Sequence, residues 1–292
     1  VIVKQKIHFI INPISGGKSK THIPDLIVKI LDKNIFDIQI FFTQGQESNH
    51  HLAAASALEA DIVIAVGGDG TINNVAQYLV NSNKIFGIIP MGSGNGLARE
   101  LKIPTNPEKA LQLINSQKIK TIDTCKANNQ FFINLAGVGF DAHIANLFAK
   151  TISRGFKTYA KITLMEFATY KNKRYYLHYN GEQTTVNAFM ICVCNGTQFG
   201  NNAYAAPNAI YNDGLFDVVV FNAFKIWQVP QIAYKLFKGD VSDLSFVQTF
   251  KTDQILITRE EKEVANIDGE AMLLDGDINF KIFKQSLKVI VG

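Results

Sequence analysis

Two kinds of residue in this chain could do chemistry together: glycine-rich turns able to wrap a polyanion, and carboxylates able to take a proton or hold a cation. The turns read NPISGG (Asn12 to Gly17), VGGDGTIN (Val66 to Asn73) and MGSGNG (Met91 to Gly96). Glycine lets backbone N–H groups approach a phosphate closely, and a helix N-terminus behind the turn adds partial positive charge. Asp69 places a carboxylate among Gly67, Gly68 and Gly70. Beside phosphates a carboxylate is repulsive unless a divalent cation or a basic side chain intervenes, so Asp69 implies either Mg2+ or a structural role bonding loop N–H groups. Thr71 and Asn73 can cap the following helix and donate to phosphate. A second acidic pair, Asp268 and Glu270, alternates about Gly269. On a strand both would face one side, although an acidic hairpin turn spells the same letters.

Standard phosphate motifs do not account for the turns. A P-loop needs glycine five positions before Gly17-Lys18, where Asn12 stands. The dinucleotide fingerprint fails as well, with Leu97 and Asn73 where its third glycine belongs. One glycine-rich turn is ordinary punctuation between elements; three of them point to a shared ligand, most simply a nucleotide.

The elements that must carry the turns alternate. Strands are expected at Lys6–Ile11, Phe36–Thr43, Asp61–Val66 and Ile85–Pro90, with helices at Ser19–Leu31, Glu47–Leu58, Ile72–Val80, Asn95–Leu101 and Pro107–Asn115. Continuous apolar strands alternating with helices mean a covered parallel sheet, whose ligands bind beyond the carboxyl ends of the strands. After Asp123 the rhythm changes. Strands are expected at Phe131–Ala136, Tyr175–Tyr179, Thr184–Cys194, Leu215–Asn222 and in short runs from Val247 to Val291. Helices are expected at Gly155–Tyr170 and Phe224–Phe237. Asn180-Gly181 is a type I′ hairpin signal. The expected fold class is α/β plus β. A parallel-sheet nucleotide domain spans 1–125, a mainly antiparallel β domain spans 126–283, and 284–292 return to the first.

Composition excludes several classes. Of 292 residues, 47% are hydrophobic and 18% charged, a globular balance. The net charge of +4 suits an anionic ligand or surface, yet only Lys171, Lys173 and Arg174 cluster closely, which argues against nucleic acid. Cys125, Cys192 and Cys194 lack metal spacing and read as buried reduced thiols, which suits the cytoplasm. The N-terminal stretch does not read as a signal peptide, and no apolar run approaches the ~20 residues of a membrane span. Membrane contact is expected to be peripheral. The six histidines read as surface or helix-end residues.

NPISGG, GGDGTIN and PMGSGNGLAR, in that order, resemble the diacylglycerol kinase catalytic domain family, which includes bacterial soluble lipid kinases and sphingosine and ceramide kinases. GGDGT alone is shared with NAD kinases and phosphofructokinases; Pro90 to Asn95 narrows it. DGLFD (Asp213 to Asp217) and IDGE (Ile267 to Glu270) extend the resemblance over essentially the whole chain. It implies an N-terminal α/β domain, a C-terminal β-sandwich lipid-substrate domain, and an active site in the cleft between them. The implied activity is transfer of the ATP γ-phosphoryl group, with Mg2+, to a hydroxyl of diacylglycerol, a sphingoid base or a related lipid at a membrane surface. The alternatives are a NAD-kinase-like small-molecule kinase and a non-catalytic nucleotide or lipid binder.

Residue by residue, the resemblance assigns ATP binding to Asn12, Pro13, Ile14, Ser15, Gly16, Thr43, Gly67, Gly68, Asp69, Gly70, Thr71, Ile72, Asn73 and Ser93. It assigns catalysis to Asp69, Asp268 and Glu270, with Glu270 most often the proton acceptor. A structural Mg2+ would take the Asp213 side chain and the carbonyls of Ile210 and Leu215, although a plain β-turn fits the same letters. Arg99, Lys161 and Asp123 are assisting candidates, Asp141 is a recurrent acidic position, and Lys18 is one residue late for the family's lysine. The Gly155–Tyr170 helix, with Lys157, Lys161, Lys171 and Lys173, is the expected membrane contact.

Overall fold

The computed structural model describes residues 3–15, 19–151, 156–200 and 202–292. The chain forms two compact units: residues up to Ile122 together with Gln285–Gly292, and Asp123–Lys284.

The first unit alternates β1 (Gln5–Ile11), α1 (Ile23–Ile30), β2 (Phe36–Phe42), α2 (Gln46–Glu59), β3 (Ile62–Gly67), α3 (Asp69–Ala76), β4 (Ile85–Pro90), α4 (Gly96–Glu100) and α5 (Pro107–Ser116) before entering β5 (Ile119–Ala127). The four strands lie parallel in the order β4-β3-β1-β2. Every residue of β3 is buried, as a strand covered on both faces requires. At the chain's end, Lys288 and Val289 pair in parallel with Ile85 and Phe86 of β4.

Three helix starts differ from the sequence expectation by more than one residue. One lies in the second unit, where a 3-10 turn over Ile226–Gln228 delays to Val229 the helix expected from Phe224. α1 begins at Ile23 rather than Ser19, with Pro24 in its first turn, where a missing N–H costs nothing. α3 begins at Asp69 rather than Ile72, because the Ile72 N–H closes on the Gly68 carbonyl at 3.0 Å and draws the glycine turn itself into the first helical turn.

The second unit continues with β6 (Gln130–Phe132), β7 (Leu135–Gly139), α6 (Phe140–Ala149), α7 (Phe156–Phe167), β8 (Lys173–Tyr179), β9 (Glu182–Cys194), β10 (Gln198–Gly200) and β11 (Ala203–Tyr204). There follow β12 (Phe216–Asn222), α8 (Val229–Lys238), β13 (Val247–Thr252), β14 (Gln254–Thr258), β15 (Glu263–Ile267), β16 (Glu270–Leu274) and β17 (Asp277–Ile290). Its strands pair antiparallel, in the order β16-β15-β7-β9-β8-β14-β17, with β12 between β9 and β13. β8 turns into β9 through Asn180 and Gly181, both at positive φ, as a type I′ turn demands. Ile191 and Val193 of β9 enter one core while Met190, Cys192 and Cys194 enter the other, so this strand is buried on both faces. All three cysteines are buried free thiols.

Candidate active site

The parallel sheet brings its turns to one edge. Each strand ladder extends by one bond into the turn that follows: Asn12 N–H to Val66 O at 3.1 Å, Thr43 N–H to Ile11 O at 2.9 Å, and Met91 N–H to Gly67 O at 2.7 Å. Asn12 spans two turns, its Nδ2 donating to Thr71 Oγ1 at 3.0 Å while its Oδ1 accepts from Ile14 N–H at 3.2 Å. Pro13 and Ile14 are exposed, and Ser15 Oγ donates back to the Asn12 carbonyl. The buried Lys20, which sequence reasoning passes over, donates its ammonium to the Ser15 carbonyl, and burial pushes its pKa down. Gly16, Gly17 and Lys18 lie outside the described residues. The Thr43 hydroxyl is buried without a protein partner, and Ser93 is exposed.

Asp69 resolves toward the structural alternative. Its Oδ2 accepts from the Asn95 N–H and its Oδ1 from the Gly96 N–H, both at 2.9 Å, so the carboxylate ties the second glycine turn to the third. Burial raises its pKa, against the pull of those amides and the Arg99 charge. Asn95 holds the left-handed conformation (φ 52°), and its side chain bonds Gly92 through both N–H and carbonyl at 2.9 Å. Arg99 Nε donates to the Gly94 carbonyl at 3.1 Å. The glycines serve this contact as much as any ligand: a Cβ on Gly92 would lie 2.6 Å from Gly68 Cα, and one on Gly94 2.9 Å from Asp69 Oδ2. Gly67 abuts the Thr71 side chain in the same way. Ile72 needs correcting as a ligand residue, because its side chain is buried in the core and its N–H is spent within the helix. Gly70 and Asn73 are half-buried in the first turns of α3.

In the second unit Asp268 and Glu270 do not share a strand face. Asp268 (φ 48°) and Gly269 (φ 90°) are the two central residues of a tight hairpin between β15 and β16, closed by the Ile267–Glu270 pair. The Asp268 carboxylate turns back and accepts three backbone N–H bonds, from Ile133 at 2.7 Å, Asn134 at 2.9 Å and Leu135 at 3.0 Å. The single strand expected over Phe131–Ala136 is therefore broken between β6 and β7, where these amides leave the ladder for the carboxylate. Glu270, exposed, opens β16. The turn is buttressed from beneath: Asn266 Oδ1 accepts from Gly269 N–H, and its Nδ2 donates to the buried Asp141, both at 2.8 Å. Desolvation raises the Asp141 pKa to about 6 against that bond.

The DGLFD segment holds a cation of its own. Asp213 Oδ1 accepts from Leu215 N–H at 3.0 Å, and Lys251 Nζ lies 3.0 Å from both Asp213 Oδ2 and Asp217 Oδ2. The Ile210 carbonyl accepts the Asp213 N–H at 3.2 Å. Asp213, Ile210 and Leu215 thus form a β-turn whose carboxylate already has a lysine counterion. Asp123 is fully buried and accepts from Gly214 N–H at 2.7 Å, a scaffold role that fastens this turn to β5. Lys161 is exposed on α7.

His8 is a further departure from expectation. It is buried on β1, with Nδ1 3.0 Å from Ser56 Oγ, and burial lowers its pKa. Sequence reasoning also passes over Asn266 and Lys251. A left-handed turn former in GSGN was the available signal for Asn95; nothing local marks the other two. A hollow of about 390 Å3 lies at the opposite edge of the parallel sheet, lined by Lys4, Asp61 and Lys84. None of the expected site residues reaches it.

Residues 6–127 match the diacylglycerol kinase catalytic domain, and residues 134–291 match the YegS C-terminal NAD kinase β-sandwich-like domain. A diacylglycerol kinase of Bacillus subtilis strain 168 is 27% identical over 276 residues, covering 91% of this chain and 90% of that protein. A Yersinia enterocolitica protein named a probable lipid kinase, YegS-like, is 29% identical over 242 residues, 80% of each chain. The crystal structure of a diacylglycerol kinase from Bacillus anthracis str. Sterne matches the fold with a TM-score of 0.76 at 23% identity, over 99% of this chain and 97% of that one. With a diacylglycerol kinase catalytic domain and a YegS-type β-sandwich following one another along its length, the chain belongs to the diacylglycerol and YegS-like lipid kinase family.

Proposed function

We propose that this protein transfers the γ-phosphoryl group of ATP to the hydroxyl of a membrane lipid, diacylglycerol being the acceptor its relatives' names favour. One observation carries the reading: the glycine turns rise from a single edge of the parallel sheet with unspent donors. These are the Gly70 and Thr71 amides in the first turn of α3, which no helical carbonyl can satisfy, the buried Thr43 hydroxyl and the exposed Ser93 hydroxyl.

In this reading Asn12, Thr43, Gly67 to Thr71 and Ser93 hold the nucleotide phosphates, and Asp69 keeps the second and third turns in register. Bound Mg2+ supplies charge neutralisation at the phosphates. Among the described residues no three His, Cys, Asp or Glu side chains gather for a metal, and both Asp69 oxygens are taken by amides, so in this reading Mg2+ would arrive held by the nucleotide phosphates rather than by a protein cage. Glu270, with an exposed carboxylate on a rigid turn, takes the proton of the lipid hydroxyl. Asp268 positions it by anchoring the turn. The acceptor is met by peripheral membrane contact; no helix among the described residues is long and apolar enough to cross a bilayer.

The test is transfer from γ-labelled ATP to diacylglycerol, a sphingoid base, phosphatidylglycerol and NAD. Transfer to a lipid supports the reading. Transfer to NAD alone would make the protein a small-molecule kinase, and no transfer a non-catalytic binder. Glu270→Gln should lower turnover by about 10²–10⁴-fold, the span of general base catalysis. Its unfolding midpoint should stay at the wild-type value, since the side chain is exposed.

A further inference from the structure

Helix α8 and the turn leading into it expose an aromatic stripe that the proposed chemistry does not use. Ile226, Trp227, Tyr234 and Phe237 are 58%, 70%, 60% and 54% exposed. The inner face of α8 is already satisfied, with Ile232 buried and Leu236 packed against the core. The helix is therefore apolar on both sides, and single exposed apolar residues are common where a continuous patch is not. α7 also exposes Leu164 and Met165, and its last residue, Phe167, meets the Phe224 ring at 5.5 Å.

Along this segment the charge has one sign. Lys225 Nζ lies 4.9 Å from the Trp227 ring centroid and Lys238 Nζ 5.7 Å from that of Tyr234. No Asp or Glu occurs from residue 223 to 239. The next acids along the chain, Asp240 and Asp243, both pair with Lys235. Trp and Tyr rings flanked by lysine suit the headgroup layer of a bilayer, where the ring body meets acyl chain and the ammonium meets lipid phosphate. A two-fold contact between copies would instead bring the same lysines together without an acid to receive them.

We infer that α8 and its leading turn form a docking surface for anionic phospholipid bilayers. This deepens the lipid-kinase reading by naming the surface that meets the membrane, and it rests on that reading only for its purpose. Trp227 is the sole tryptophan of the chain, so its emission reports this patch alone.

The experiment adds vesicles of equal parts phosphatidylglycerol and phosphatidylcholine to the whole protein, with no nucleotide and no acceptor lipid. Trp227 emission should shift to the blue and the protein should sediment with the vesicles, more weakly with phosphatidylcholine alone. Lys225→Gln with Lys238→Gln should weaken partitioning roughly 30-fold, about fivefold for each lysine near an anionic surface. Tyr234→Ser with Phe237→Ser should also weaken it, with circular dichroism unchanged. Three results overturn the inference: unshifted emission from folded protein with anionic vesicles, binding that survives both double variants, or a blue shift that grows with protein concentration without vesicles. Kinase activity enters none of these readouts, so failure of the kinase reading and failure of the docking surface are separately visible.

Discussion

Replacing Asp268 should damage the fold before it touches the chemistry. Its carboxylate receives the N–H groups of Ile133, Asn134 and Leu135, all three residues buried, at 2.7–3.0 Å. A hydrogen bond to a charged acceptor contributes about 1.5–3 kcal/mol, but here three share one half-exposed carboxylate and water can replace part of it, leaving about 3 kcal/mol in total. The position also lies at φ 48°, where alanine adds about 1 kcal/mol that glycine does not. The expected destabilisations are therefore about 4 kcal/mol for Asp268→Ala, about 3 for Asp268→Gly and about 1 for Asp268→Asn, which keeps one acceptor and tolerates the left-handed backbone. Urea unfolding followed by circular dichroism gives the ranking, and hydrogen exchange at the three amides localises it. An Asp268→Ala protein with the wild-type midpoint and unchanged exchange, yet no turnover, would refute the positioning role and return Asp268 to the proton transfer itself.

Other expectations follow from the same geometry. The Asp141 pKa of about 6 lies above its unfolded value of 3.8, so the folded state holds the extra proton between those pH values. Its contribution is fully present below pH 3.8 and is lost as pH rises to about 6. The span is about 3 kcal/mol, and urea midpoints across that range should lose this slope in Asp141→Asn. Gly92→Ala forces a Cβ to 2.6 Å from Gly68 Cα. It should cost about 2 kcal/mol and abolish the thermal shift given by ATP; an unchanged shift would separate the turn from nucleotide binding. Because Lys251 bridges Asp213 and Asp217, the melting temperature without nucleotide should be the same in Mg2+ and in EDTA. Lys251→Met should create a Mg2+-dependent rise, and a wild-type drop in EDTA would show a metal there instead.

Much of the architecture is legible in neighbouring residues. Strand alternation, the apolar runs of β1, β3 and β4, and Asn180-Gly181 at positive φ depend on periodicity and on which residues tolerate a left-handed backbone, properties a short window contains. The order of three glycine turns and the later acidic motif likewise identify the family without coordinates. The site is less legible. Asp268 and Glu270 alternate in sequence, but a two-residue turn separates them, and the partners of Asp268 lie more than 130 positions away.

The sequence by itself therefore determined the α/β and antiparallel β classes and which turns could face a phosphate, because local pattern sets local conformation. Only the tertiary structure decided what each carboxylate does. Asp69 bonds the third turn, Asp268 anchors a broken strand, Asp213 meets Lys251, and Glu270 stays exposed. Which donor reaches a buried carboxylate is settled by packing between segments far apart in the chain, and no window of residues carries that information.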